Sequence, residues 1–133
     1  MSYLDKFIAI PPHIAYYMHL DKPHVIKRIC YRFNNQPIIY GIRCVVTGML
    51  YVGCTFVPQE RFYQHLVSGM SSNMALQQAI KQHGLNKFTV LVFEEVEFPN
   101  KLPFSRRREH LTSVESRYIV MFPKGQLYNS THL

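Results

Sequence analysis

Ile38-Ile39-Tyr40-Gly41-Ile42-Arg43-Cys44-Val45-Val46-Thr47-Gly48-Met49-Leu50-Tyr51-Val52-Gly53-Cys54 reads as two extended segments joined by a turn. β-Branched and aromatic residues crowd Ile38 to Thr47, and such side chains pack well on a pleated surface. Thr47-Gly48 breaks the run and Met49 to Cys54 is extended again, which predicts an antiparallel β-hairpin. Downstream, Pro58 suits the first turn of a helix running to about Val67, with Phe62 and Leu66 on one face. Residues 68–72 (Ser-Gly-Met-Ser-Ser) predict a loop. Residues 73–83 predict a second helix, with Leu76 and Ile80 inward and Gly84 as its stop.

Phe88 to Val96 alternates into a third strand and then meets the acidic residues Glu94, Glu95 and Glu97. Phe98 to Ser105 holds two prolines and predicts a connection. After the basic run Arg106-Arg107-Arg108, a third helix is predicted over roughly His110 to Met121, with Val114, Tyr118 and Met121 on an apolar stripe. Pro123 and Gly125 end it. The expected class is α/β in the α+β sense: a small three-stranded, mostly antiparallel sheet flanked by helices, in the order β-β-α-α-β-α. One domain is expected over 37–133, preceded by a leader, 1–36, that is rich in aromatics, His and Pro and has no clear period. Lys22, His24, Lys27, Arg28 and Arg32 make part of that leader basic. Such a stretch can lie along a phosphate backbone or form a solvated charged face, and the pattern leaves both open.

The chain has 133 residues, enough for one domain and too few for two. Its 47% hydrophobic and 17% charged residues suit a globular protein with a real core. No apolar run approaches the roughly 18 to 20 residues that cross a membrane, so no membrane partner is expected. The first residues lack the basic start and small-residue cleavage site of a secretory signal. Lys and Arg total 15 against 8 Asp and Glu, a net charge of +7, and this excess favours polyanionic partners through counterion release. Cys30, Cys44 and Cys54 are odd in number and form no CxxC, which points to a reducing, intracellular compartment rather than to disulfides or zinc.

Tyr40 and Tyr51 stand 11 residues apart on the two hairpin strands. Arg61 follows ten residues after Tyr51, and His65 four residues later. Lys81-Gln82-His83-Gly84 leads to Phe88, Glu115 lies in the third helix, and Tyr128-Asn129 closes the domain. In this order and at these spacings the pattern resembles the GIY-YIG nuclease family over residues 38–130. Ile39-Tyr40 matches the end of the first half of the signature, and Tyr51-Val52-Gly53 the second half. Ile38 replaces the first Gly, a strand position without catalytic chemistry. Phage relatives often place a second His before the second helix, where this chain has Met70-Ser71-Ser72.

The resemblance implies that Tyr40 positions or deprotonates the attacking water and that Tyr51 assists through a hydrogen bond to the phosphate or to Tyr40. A tyrosine is an awkward base, because its unperturbed pKa is about 10. It further implies that Arg61 grips phosphate oxygens with its guanidinium fork. His65, at i+4 from Arg61, reaches the same phosphate or shuttles a proton. Glu115 holds a single divalent cation, Mg2+ or Mn2+, with waters and substrate oxygens completing the shell. Asn129 tethers the tail near the site or orients a ligand. Lys27, Arg28, Arg32, Arg43, Arg106, Arg107 and Arg108 are the expected contacts to nucleic acid.

Each residue also has a plainer reading. Taken alone, Tyr40 and Tyr51 read more readily as half-buried sheet residues, Arg61 as a surface helix charge and Asn129 by default as a turn residue. Thr112-Ser113-Val114-Glu115 has the spacing of a capping box, so a helix beginning at Thr112 would employ Glu115 as its cap. Two functions fit one fold. The first is a metal-dependent endonuclease hydrolysing DNA, of the homing or restriction type. Homing enzymes append DNA-binding modules, whereas this chain ends about four residues past Asn129. The second is a domesticated, non-catalytic RNA-binding subunit of a large assembly such as an organelle ribosome. A dimer or a larger assembly, and an organellar or phage genome, are expected accordingly.

Overall fold

A computed structural model describes residues 10–70 and 73–130. Outside that range lie Tyr3 and Phe7 of the leader, Ser71 and Ser72 of the predicted loop, and His132. Four strands and four helices follow one another as β1 (Ala15–Tyr17), α1 (Pro23–Arg32), β2 (Ile38–Cys44), β3 (Leu50–Thr55), α2 (Pro58–Tyr63), α3 (Met74–His83), β4 (Phe88–Glu95) and α4 (Arg107–Ile119). The strands form one antiparallel sheet in the order β1-β4-β2-β3.

The predicted hairpin is present as β2 and β3, although its first strand stops at Cys44 and the turn is wider than Thr47-Gly48 alone. Gly48 adopts φ 79°, a left-handed conformation that glycine enters without a Cβ clash. The sheet has four strands rather than the three expected. The extra one, β1, is the three-residue segment Ala-Tyr-Tyr pairing with β4. Three residues are too few to display a period of two, so hydrophobic pattern alone does not reveal the strand.

The leader also supplies α1, with Pro23 in its first turn. Val25, Ile29 and, just past its end, Phe33 are buried at a spacing of four, which puts them on one side of the helix. They join Leu20 in the core.

Alternate strand residues face opposite layers. Ile38, Tyr40, Ile42, Val90 and Val92 pack with α1, α2 and α3, including Phe62, Leu66 and Leu76. Ile39, Leu50, Val52, Leu91 and Phe93 pack on the other side with Leu111 and Val114 of α4, and with Phe122 and Leu127 beyond it. The sheet is therefore covered on both faces.

Helix boundaries differ from expectation. Past Tyr63 the chain continues as a single widened π-type turn, Gln64–Ser68, instead of α-helix, and ends at Gly69 with φ 69°. α4 starts at Arg107, three residues before the predicted His110, so Arg107 and Arg108 belong to the helix. Met121 lies beyond the end of α4 and is half exposed, while Leu111 takes the core position on the stripe. α3 begins at Met74, one residue inside the expected 73–83, because Asn73 is its cap: the Asn73 side chain accepts a hydrogen bond from Leu76 N at 2.8 Å, and Gly84 (φ 90°) follows the last residue.

Candidate active site

The hairpin register places Tyr40 opposite Gly53 and Ile42 opposite Tyr51. Tyr40 and Tyr51 thus share one face of the sheet and sit diagonally, with ring centroids 6.2 Å apart. Gly53 makes room for this. A Cβ built there would fall 2.6 Å from Cζ and the hydroxyl of Tyr40 and 2.9 Å from the Tyr51 ring. On the other side of β2 the register against β4 slips between Ile39 and Tyr40. Such irregularities re-aim side chains next to functional centres.

Tyr40 is fully buried. The Phe62 ring packs edge-on against it at 4.9 Å, and its hydroxyl meets His65 Nε2 at 2.8 Å. His65 itself is buried and lies 5.1 Å from the Tyr51 ring. Burial pushes the Tyr40 phenol well above its usual range, Tyr51 pushes it further, and Arg61 opposes both. Burial drives His65 down to about 3, and the neighbouring Arg61 charge adds to the effect. The pair is therefore neutral at pH 7: the phenol keeps its proton and the imidazole is uncharged. A neutral imidazole whose Nε2 accepts from Tyr40 carries its proton on Nδ1, and that atom is buried with no hydrogen-bond partner.

Arg61 closes the group from α2. Its guanidinium lies against the hydroxyls of Tyr40 and Tyr51, and Nη1 donates to Gln64 Oε1 at 3.1 Å. Burial works to lower its pKa, but the two phenols outweigh burial and the net shift is upward, so the charge is fixed. Arg61 also faces a shallow cleft of about 260 Å³ at the end of β3, lined by Thr55, Phe56, Glu60, Gln64 and Arg108. Two guanidinium groups, from α2 and from the first turn of α4, therefore border one cleft.

Glu115 approaches from the opposite layer. It lies in the second half of α4, eight residues after the helix begins, so it caps nothing. Thr112, the would-be cap, instead donates to Arg108 O and Glu109 O within the helix. The Glu115 carboxylate faces the Cys54 thiol on edge strand β3. Burial and that carboxylate push Cys54 up to about 12, while Arg108 and Arg61 pull it the other way. Cys54 thus stands between the carboxylate and the two arginines.

Asn129 is fixed to the backbone. Its Oδ1 accepts from Val52 N at 2.9 Å and its Nδ2 donates to Val52 O at 2.7 Å. The other basic residues scatter. Arg32 is ion-paired with Glu95 at 2.6 Å and Arg106 with Glu109 at 2.7 Å. Arg107 stacks over Phe98 and Arg43 is half-buried on β2, whereas Lys27 and Arg28 lie exposed on α1. Tyr40, Tyr51, Arg61 and His65 thus come together in one cluster, with Glu115 and Arg108 at its rim. Gln64 and Gly53 complete it. Gly53 is legible from its place two residues after Tyr51, but no sequence signal marks Gln64.

The chain is 32% identical over 111 residues, 84% of its length, to the probable intron-encoded endonuclease 1 of Neurospora crassa. It spans 35% of that protein's length. No protein-family model matches the chain, and no solved structure does. Among the described residues no helix is long and apolar enough to cross a membrane.

Proposed function

We propose that this chain is the catalytic domain of a metal-dependent endonuclease of GIY-YIG type, hydrolysing a phosphodiester bond in DNA. The observation that carries the reading is the convergence of two tyrosines, an arginine and a histidine from four separate places in the chain, beside a carboxylate from the opposite layer. Similarity to a fungal protein named an intron-encoded endonuclease supports the same class of reaction.

The chemistry follows from the environments. Hydrolysis needs a proton removed from water and a counter-charge for the phosphorane. Arg61 and Arg108 border the cleft as fixed cations and suit bidentate contact with phosphate oxygens. Tyr51 is half-buried, so its hydroxyl is the phenol positioned to meet water or phosphate. Tyr40 is sealed inside and acts behind it as a positioning group: its hydroxyl is held 2.8 Å from His65 Nε2 and it packs beside the Tyr51 ring. The Tyr40–His65 pair stays neutral, because burial makes both a phenolate and an imidazolium costly inside the core.

A divalent cation fits Glu115. The carboxylate offers hard oxygen, and the adjacent Cys54 thiol stays protonated and so does not present the thiolate that softer ions select. Among the described residues no three ligating side chains gather. One carboxylate suits an ion such as Mg2+, which keeps several waters and shares substrate oxygens. Bound there, the ion would supply Lewis-acid stabilisation of the phosphoryl oxygens and an acidified water.

The test is Mg2+-dependent cleavage of supercoiled plasmid by purified protein, with Arg61→Ala and Glu115→Ala alongside. Cleavage lowered by roughly a hundredfold or more in both variants is expected, as for removal of one transition-state donor. A folded wild-type protein that binds RNA but cuts nothing under Mg2+ or Mn2+ would overturn the enzyme reading in favour of a retired, RNA-binding subunit.

A further inference from the structure

α1 has a second periodic face. Val25 and Ile29 point into the core, while His24, Lys27, Arg28 and Tyr31 recur at i, i+3, i+4 and i+7 and are all exposed. That spacing usually marks an apolar stripe. Here it carries three basic-type side chains and a tyrosine that is 89% exposed. The helix contains no acidic residue, and among the described residues neither Lys27 nor Arg28 makes an ion pair.

Two open hollows of about 490 and 510 Å³ adjoin the stripe, and Arg28 lines both. Tyr17 of β1 lines both as well. Lys27, Tyr31 and Arg32, the last ion-paired with Glu95, also line one hollow; Tyr16, His24 and Lys22, the last ion-paired with Asp21, are among those lining the other. A tyrosine so exposed has no packing role, and cations without partners need none to keep the fold. Aromatic rings alternating with lysine and arginine form the combination that holds a single nucleic-acid strand: phosphates on the cations, bases on the rings. Duplex binding would need only the cations.

We infer that the outer face of α1, with Tyr17, is a binding surface for single-stranded nucleic acid, separate from the cleft at Arg61. The inference takes from the nuclease reading only the class of ligand. The segment just past α1 is tied to α2, the helix that carries Arg61: Asn35 N donates to Gln59 Oε1 at 2.9 Å and Gln59 Nε2 donates to Asn35 Oδ1 at 2.6 Å, and Cys30 of α1 lies against Gln59 O. A strand held on α1 would therefore keep a fixed relation to the cleft, as an anchor for the substrate beside the cut.

The experiment is fluorescence anisotropy of a labelled oligothymidylate with the full chain in EDTA, so that cleavage plays no part. The wild type is compared with Lys27→Ala/Arg28→Ala, Tyr31→Ala and Tyr31→Phe, and with Arg61→Ala as a cleft control. The double variant should bind at least tenfold more weakly. Its slope of log affinity against log salt should fall by about 1.4, at roughly 0.7 per phosphate contact for single strands. Tyr31→Ala should lose about 5- to 100-fold on the single strand and under twofold on a blunt duplex, while Tyr31→Phe keeps wild-type affinity.

Unchanged affinity in the double variant, or equal losses on strand and duplex for Tyr31→Ala, would overturn the inference. So would competition by polyglutamate as effective as that by unlabelled oligonucleotide, which would assign the surface to an acidic protein. A chain that binds through α1 but cuts no plasmid would leave this inference standing and remove only the nuclease reading.

Discussion

His65 sits in the core as an uncharged imidazole, and that makes it sensitive to acid. Its pKa is about 3 in the fold and about 6.5 in an unfolded chain. Above pH 6.5 both states are neutral and the residue adds no pH dependence. Between 6.5 and about 3 the unfolded state binds a proton that the folded state refuses, so stability falls as pH falls. The slope attributable to this residue approaches about 1.4 kcal/mol per pH unit within that window. Thermal or urea unfolding from pH 7 to 4 should therefore show the wild type losing stability faster than His65→Gln; parallel curves would mean that His65 is already charged in the fold. At this scale, the sequence made visible which residue types converge, because Tyr40 and Tyr51, 11 positions apart across one turn, fall on the same face. It did not disclose that Tyr40 is sealed and Tyr51 accessible, nor that Cys54 lies between Glu115 and the arginines. Those depend on how α2 and α4 close over the end of β3, which no local pattern encodes.

β3 is one of the two edge strands, and an open edge invites pairing with another chain. The tail after α4 covers it. Leu127 bridges to Leu50 in parallel, and the Asn129 amide takes both the N–H and the C=O of Val52, standing in for a paired strand residue. Asn129→Ala would leave two backbone groups of a buried residue without their partners, at about 1–3 kcal/mol. The expected result is a lower unfolding midpoint together with faster amide exchange at Val52 than at Ile42 on the inner strand β2. Equal exchange at the two amides would show that water or another group replaces the side chain. Among the elements, the long periodic ones were legible: β2, β3, β4, α2 and α3 all have enough residues to display their period. β1 and α1 were not. The strand is too short, and the proline- and histidine-rich context around α1 hides a two-residue apolar stripe, Val25 and Ile29, beneath its charges. α4 began earlier than expected because Arg107 and Arg108 extend the helix, and their basic character reads as a surface knot rather than a first turn.

Arg61 and Arg108 border one cleft at the end of β3, with Tyr51 beside Arg61, so a chain acting as the proposed nuclease addresses one strand at a time. The two strands of a duplex run in opposite directions, and one cleft cannot meet both in the same orientation without releasing and rebinding. In such a nuclease the net charge of +7 would favour staying on DNA between events at low salt, since phosphate contacts supply most non-specific affinity. Plasmid cleavage should accordingly pass through an open nicked circle that rises before any linear product, with the nicking rate proportional to protein concentration. Raising salt from 50 to 200 mM should slow both steps, and the second more, because linearisation requires the protein to find the other strand. Linear product formed from the outset without a nicked intermediate, at a rate rising with the square of protein concentration, would show instead that two copies act together. Gel densitometry of a time course at three protein concentrations separates the two kinetic forms, because they differ in both the order of appearance and the order in protein.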